Sequence, residues 1–599
     1  MKYVGPGGDV VIPSGVTSIG EEAFQFCGSL TSVTIPDGVT SIGRKAFEDC
    51  DAMTSVTIPD SVTFIGEEAF CWCYRLTSVA IPDSVTNINY GVFGFCSALT
   101  SVTIPDSVIR IGEEAFYCCE SLTSLKLPDS VASIGEDAFH SCKNLTTVKL
   151  GSGVSSIDPT AFGGCDNLEA INVSGKNAVY SSSDGVLYTD DQKTLLQCPE
   201  GKGSVTIPDS VVRIVDGDNP SGSPTYGGFA NCKKLETVKF PDSLEYIGKF
   251  AFYNCENLKS VTVPAKVKAI LTETFSGCAK LQNVTLPDGL TLIDYNAFYG
   301  CDSLESISIP QTVKKIEWGA FSWCRSLKGV TIPNSVTMIG ESAFVRCENL
   351  TSVTIGSSVT SIGNEAFRFC NKLNRVTIPR SVTSIGKSAF HTVDDQYNEI
   401  PLNATIYGYK GSYAETYVKE NGFKFSVLSD PISITKAKIT VSSQVYTGKA
   451  LKPAVTVKYG KKTLKKGTDY TVSYKNNKAI GTATVTVTGK GDYTGTTKKT
   501  FKINPKAVSG LKLTAGKGRL TASWKKAPGG ISGYQLQYGL KKSFSGAKKV
   551  NVAKASTVKG TLKNLKAGKT YYVRIRAFKK IGKTTYWSAW SGAKRARVK

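Results

Sequence analysis

Fourteen of the 17 cysteines recur every 23 residues, each three positions after a phenylalanine. They form two runs, Cys27, Cys50, Cys73, Cys96, Cys119, Cys142 and Cys165, then Cys232, Cys255, Cys278, Cys301, Cys324, Cys347 and Cys370. A fixed period of this length means stacked, near-identical units. A stack offers a long surface and no natural single pocket, which points away from enzymes.

One unit, LTSVTIPDGVTSIG at 30–43, explains the stacking. Leu30, Val33 and Ile35 have the spacing of a short strand with one buried face. Pro36 ends it, because proline has no ladder N–H. Asp37-Gly38 is turn chemistry. Val39 and Ile42 give a second buried edge. RKAFEDC at 44–50 predicts about one helical turn with Ala46, Phe47 and Cys50 inward. Paired acids such as Glu21-Glu22, Glu67-Glu68 and Glu113-Glu114 suit the partly positive start of such a turn. No unit buries its apolar edge alone, so stacking must join the Phe, Ile, Leu and Cys ladders into one core.

The unit L-T-S-V-T-I-P-D-S-V-T-S-I-G-E-E-A-F-x-x-C resembles the BspA-like leucine-rich repeat of bacterial surface proteins, over about two thirds of the chain. The resemblance implies a right-handed solenoid of short strands and short helical turns, displayed outside the cell or at its surface for adhesion or binding. It carries no catalytic residues and no cofactor. The expected divisions are a solenoid at 1–403 with a hairpin insert at about 174–206, a capping unit at 404–429, and two all-β sandwiches at 430–505 and 506–599.

Between Cys165 and Cys232 the period fails by 44 residues. Apolar stretches on either side of Asp190-Asp191-Gln192 predict a hairpin. A second insert, DGDNPSGSP at 216–224, predicts a loop. Its Asp216-x-Asp218 opening lacks the remaining ligand spacing of a calcium loop. After Phe390, a strand near 404–408, a helix capped by Ser412 and ended by Gly422, and a last strand at 423–428 resemble the family's closing unit.

Strands at 470–474 and 483–487, with Gly and Asn-Asn turns, resemble a bacterial immunoglobulin-like module. The segment from 505 onward resembles a fibronectin type III domain, through Trp524, Tyr534, Tyr538, Tyr571, Val573, Ile575 and Ala577. Trp587-Ser-Ala-Trp590-Ser matches the W-S-x-W-S box of cytokine receptors. Arg574 and Arg576, on one strand face, are expected to stack between those rings as a folding staple. Lys490-Gly-Asp492 resembles an integrin tripeptide, a match short enough to arise by chance.

Charge divides the chain. Residues 430–599 hold 39 Lys+Arg and 3 Asp+Glu, while 1–429 hold 33 and 46. This asymmetry suits an anionic partner or surface for the C-terminal end, such as a cell-wall polymer. Lysine supplies 34 of the 39, whereas base reading favours arginine and stacked aromatics, so specific nucleic-acid binding is not expected. No apolar run reaches the length of a membrane span. No signal peptide is read before the partial repeat VVIP at 10–13, and no C-terminal sorting motif; a truncated start or another export route would reconcile this with the secreted family.

Ladder cysteines should be buried free thiols, since neighbours one strand apart, with parallel side chains, exceed the usual disulfide Cβ separation. Cys71, Cys118 and Cys198 lie off the ladder and are expected to be more exposed. No ligand set converges for zinc. The two histidines, His140 and His391, follow the repeat phenylalanine in what reads as a surface slot, so no catalytic residues are expected.

Binding candidates are the variable positions. The exposed strand position is threonine in many units but Lys126, Lys149 and Lys239 in others, and Arg375 lies two positions before it. These suggest a polar face with a basic patch. Trp72, Tyr117, Tyr253, Tyr299 and Trp323 occupy loop slots that suit an interface edge. The solenoid is expected to hold a protein or glycan ligand, possibly on a host surface. Two alternatives stand beside that reading: a self-associating envelope scaffold, and a non-catalytic accessory subunit of a surface enzyme.

Overall fold

In the computed structural model, which describes residues 3, 5, 7–217 and 227–599, a typical repeat contributes two short strands. Leu30–Thr34 and Ser41–Ile42 pair in parallel with Ser55–Thr57 and Phe64–Ile65 of the next repeat. Register is locked residue to residue, Val33 on Val56 and Ile42 on Ile65, because a one-residue slip would turn every apolar side chain to solvent. Gly43 is required where it stands, since a Cβ there would lie 2.6 Å from the backbone nitrogen of Glu21.

The fifteen repeat phenylalanines form two ring columns, Phe24 to Phe162 and Phe229 to Phe390, with successive centroids 4.6–5.6 Å apart. Cysteine has a specific task beside them. Cys73 Sγ donates to the Phe47 carbonyl of the preceding repeat at 3.2 Å, and Cys96 does the same to Phe70. A small apolar side chain with one weak donor thus fills the core and satisfies a buried acceptor. All the cysteines are free. Burial pushes the Cys50 thiol up to about 12. Two off-ladder expectations are corrected: Cys71 and Cys198 are buried, and Cys118 and the first ladder residue, Cys27, are the partly exposed ones.

The segment from 44 to 50 is a run of turns rather than a helical turn. Lys45 and Asp49 have φ of 55° and 60°, which an α-helix does not allow. Ala46 and Glu48 donate within the segment, to Gly43 and Lys45. Lys45, Phe47 and Asp49 instead donate to Glu67, Ala69 and Cys71 of the next repeat. Bonding between repeats replaces bonding along the chain, so the acid pairs serve no helix start. Ala46, Phe47 and Cys50 do face inward.

The insert expected as a hairpin contains two. Tyr180–Ser183 pairs antiparallel with Val186–Thr189, which pairs antiparallel with Thr194–Gln197. The last strand then pairs in parallel with Arg213–Ile214, rejoining the stack. The phenylalanine column breaks here and the core divides into two clusters, one ending at Leu187 and one beginning at Val186. Most of the second insert, 218–226, lies outside the described residues. The Asp216 carboxylate is engaged by Tyr246 Oη at 2.6 Å and the Lys249 N–H at 2.9 Å, with Arg213 at 3.2 Å. Helix α1 (Tyr413–Asn421) begins after Ser412 and ends at Gly422 with φ 73°, and Thr405–Gly408 pairs with Lys424–Val427 beneath it.

The chain divides into two units, Met1–Leu428 and Ser429–Lys599. The second unit holds two β-sandwiches. In the first, Ile439 and Val457 of the sheet containing Lys438–Val441 share a core with Tyr470 and Val487 of the one containing Gly481–Gly489. In the second, Trp524 is buried edge-on to Tyr534, and Tyr571 Oη accepts the Lys566 N–H at 3.2 Å, closing a tyrosine corner.

Candidate functional site

Because each strand side chain sits beside its counterpart one repeat away, variable positions become rows. On the exposed strand row Lys126 pairs with Lys149, and Lys149 with Asn172. Lys126 also lines a shallow groove with Asp106 and Asp129, so the groove is mixed in charge. Asp129 is held below its usual range by the N–H and hydroxyl of Ser152, with Lys176 and Lys126 adding to this. Lys239 lies on the sheet beyond the insert, beside Thr206, and so does not extend the pair into one basic patch. Arg375 lies over the Tyr407 ring at 4.0 Å.

The loop aromatics fall into separate rows. The residue just before each ladder cysteine has positive φ, and Gly164, Gly277 and Gly300 occupy it comfortably. Trp72, Phe95, Trp323 and Phe369 adopt φ of 61–64° in the same row. An L-residue there is strained by about 1 kcal/mol or more. Trp72 stacks on Phe95 at 3.8 Å, Phe95 meets Tyr117 at 5.1 Å, and Tyr117 stacks on His140 at 5.1 Å. Trp72 and Tyr117 therefore share one column. Phe95 and His140 complete it, and sequence reading passed over Phe95. Tyr253 stands apart, edge-on to Phe250.

A second column runs through Trp323. The Arg346 guanidinium lies 4.6 Å from both Trp323 and Phe369, with Arg325 and Arg368 on the outer faces at 4.7 and 4.8 Å. Aligning repeats on the residue before cysteine would have exposed this row. Tyr299 is one repeat away and exposed, as are Tyr295 of that repeat and Trp318 of the Trp323 repeat, both passed over in the sequence.

The slot after the repeat phenylalanine is not a free surface slot. Glu48 there is buried and paired with Lys45 at 2.7 Å, and Gln25 also donates to it. His140 Nδ1 is 2.8 Å from Ser141 Oγ, and burial lowers its pKa. Its sequence neighbour Cys142 is turned into the core toward the Phe116 carbonyl at 3.4 Å. Among the described residues no three His, Cys, Asp or Glu side chains gather to hold a metal, and no helix is long and apolar enough to cross a membrane.

In the last sandwich Arg576 is held between Trp587 and Trp590 at 3.8 and 4.4 Å, and Arg574 between Phe544 and Trp590 at 4.2 and 4.7 Å. Both guanidiniums also bond glutamines, Gln535 and Gln537, of the adjacent strand. The ladder is internally satisfied, as expected of a staple.

A family model described as BspA type leucine rich repeat region matches residues 8–116, 63–188, 225–317 and 291–413, together more than half of the chain. A fibronectin type III model matches 506–593. A leucine rich cell surface protein from Faecalibacterium prausnitzii is 31% identical, over 63% of this chain and 89% of that one, with a TM-score of 0.41. A leucine-rich repeat protein from Bacteroides ovatus is 26% identical, over 72% and 94%, at 0.45. A two-domain fibronectin type III segment of chicken tenascin is 15% identical, over 27% and 98%, at 0.20. Among curated proteins none matches.

Proposed function

The chain belongs to the family of BspA-type leucine-rich repeat proteins, and from that premise we propose that it is a non-catalytic, modular binding protein of the bacterial cell surface. The observation that carries this reading is the exposed strand row. Its side chains are held in register from repeat to repeat, as at Lys126, Lys149 and Asn172. Such a row suits many weak contacts with an extended protein or glycan ligand. The candidate contacts remain Lys126, Lys149, Lys239, Arg375, Trp72, Tyr117, Tyr253, Tyr299 and Trp323.

The proposal keeps a solenoid to 403, a cap to 429, an immunoglobulin-like module to 505 and the fibronectin type III domain beyond. The last two carry the excess of lysine, and we assign them to spacing or to attachment on an anionic wall polymer. The named measurement is binding of 1–428 and 429–599 separately to purified bacterial cell walls across a salt series. Binding by the second piece alone, released by salt, supports attachment through charge. Absence of binding by 429–599 removes it. The regular Ser/Thr rows favour one second reading, a scaffold that binds copies of itself; ligand-free self-association of 1–428 in sedimentation would select it.

A further inference from the structure

Three consecutive repeats, those of Phe298, Phe321 and Phe344, carry an arrangement found at no other described repeat. Tyr295, Tyr299 and Trp318 are 50, 39 and 42% exposed. Tyr295 and Trp318 occupy the same position, three before the repeat phenylalanine, in successive repeats. Among the described residues none of the three stacks on another ring, in contrast to Trp72 and Phe95, which cover each other. Large aromatic faces left open in a row are exceptional on a folded surface. In the repeat of Phe321 the side chains between Trp318 and Trp323 are Gly319, Ala320, Phe321 and Ser322; Ala320 and Phe321 point into the core and Ser322 is buried. The Asn296 side chain of the preceding repeat lies over Gly319, where a Cβ would clash with its Oδ1.

One repeat on from Trp318, and stacked on Trp323, stands Arg346. Its neighbours on the column are neutralised, Arg325 by Asp302 at 3.3 Å and Glu348 at 3.9 Å, and Arg368 by Glu365 at 2.7 Å and Glu399 at 3.9 Å. Arg346 has no carboxylate partner among the described residues. Trp323 and Phe369 clamp its two faces. The in-plane N–H groups of a clamped guanidinium are pre-ordered for a bidentate oxyanion. All three of Trp323, Arg346 and Phe369 hold left-handed backbone, at φ 63°, 58° and 61°, at a position that Gly164, Gly277 and Gly300 fill in three sister repeats and Phe26, Trp72 and Phe95 in three others. Bulky side chains have been placed there against the backbone preference in three repeats running.

We propose that this surface is a saccharide site for an acidic glycan: Tyr295, Tyr299 and Trp318 take the apolar faces of pyranose rings, and Arg346 takes a uronate carboxylate. The span, about two repeat steps or on the order of 10 Å, fits a short run of sugars. The carboxylates around Arg325 and Arg368 disfavour chains charged more densely than one carboxylate per sugar. The inference rests on the binding reading above and adds the ligand's chemistry to it.

The test uses the full 599-residue chain and calorimetric titration with three probes: tetragalacturonate, its methyl ester and tetraglutamate. Tetragalacturonate is expected to bind, its methyl ester at least tenfold more weakly. Trp318→Ala and Arg346→Gln should each weaken binding at least tenfold while far-UV circular dichroism stays unchanged; Trp318 is exposed enough for the variant to fold. Tighter binding of tetraglutamate would assign the surface to an acidic peptide and overturn the proposal. So would tetragalacturonate failing to bind the unaltered chain, or binding that both substitutions leave unmoved. In the last case the chain still binds glycan elsewhere, so the binding reading survives and only this site is lost.

Discussion

Each ladder thiol joins two jobs that are usually separate, filling core volume and capping a carbonyl one repeat away. Cys119 donates to the Phe93 carbonyl at 3.2 Å from a fully buried position. Cys119→Ala should destabilise the first half of the solenoid by about 2 kcal/mol, measured by urea unfolding, through the vacated volume and the orphaned acceptor. An aromatic disulfide reagent added to the folded protein should titrate only the partly exposed Cys27 and Cys118, and all 17 thiols after unfolding. Glu200 poses the opposite problem, a buried carboxyl with the Gly164 N–H at 3.0 Å as its bond. Burial raises its pKa from 4.5 to about 8. A carboxyl whose folded pKa is raised favours the fold at low pH, and that stability is lost as pH climbs from 4.5 through 8. Glu200→Gln should therefore match the parent at pH 4.5 and exceed it by on the order of 4 kcal/mol at pH 8, in urea melts at the two values.

The insert strands at 180–197 are the weak seam of the first unit. They pair with the second half through Arg213–Ile214 but meet the first half through the Ile171 N–H to the Gly185 carbonyl, and the phenylalanine column stops at Phe162 and resumes at Phe229. Nearest-neighbour coupling governs the stability of a repeat array, so a broken column lowers cooperativity where it breaks. Urea unfolding of the solenoid should show two transitions. Phe116→Leu should shift only the first half and Phe321→Leu only the second, each by about 1–3 kcal/mol, with Trp318 and Trp323 fluorescence reporting the second. A single transition moved by both substitutions would show that the insert couples the halves fully.

At the scale of whole units, the two C-terminal sandwiches share a core. Ile480, from the first, is buried among Trp524, Ala527 and Ile531 of the second. Gly529 admits it, since a Cβ there would lie 2.7 Å from the Ile480 Cδ1. Thr482 Oγ1 and Tyr586 Oη are 2.6 Å apart across the same junction. The pair should unfold as one body, and Ile480→Ala should destabilise both together by about 2–4 kcal/mol, seen by calorimetry as one transition moved to lower temperature. Separate melting of the sandwiches in the unaltered protein would contradict this. Within this unit the lysine excess is matched by only Asp430, Asp469 and Asp492, so its affinity for an anionic surface should fall steeply with salt.

The 23-residue period by itself determined the stacked architecture and the inward set Leu30, Val33, Ile35, Val39, Ile42, Phe47 and Cys50, because burial of an apolar edge is a local pattern repeated many times; α1 followed instead from its start and stop signals at Ser412 and Gly422. The Arg574–Arg576 staple was also legible, since alternation along one strand fixes which side chains share a face, while the place of Tyr571 was implied by the fibronectin type III resemblance. What the period could not reveal was bonding between repeats. Lys45 and Asp49 take left-handed backbone because their N–H groups are drawn to the next repeat, and that turns an expected helical turn into a chain of turns. The same rise of one strand spacing per repeat brings Arg346 between Trp323 and Phe369, 23 residues away on either side. Lys239 was misplaced for a related reason: its distance from Lys149 depends on how the insert rejoins the stack, and only the tertiary structure decides that.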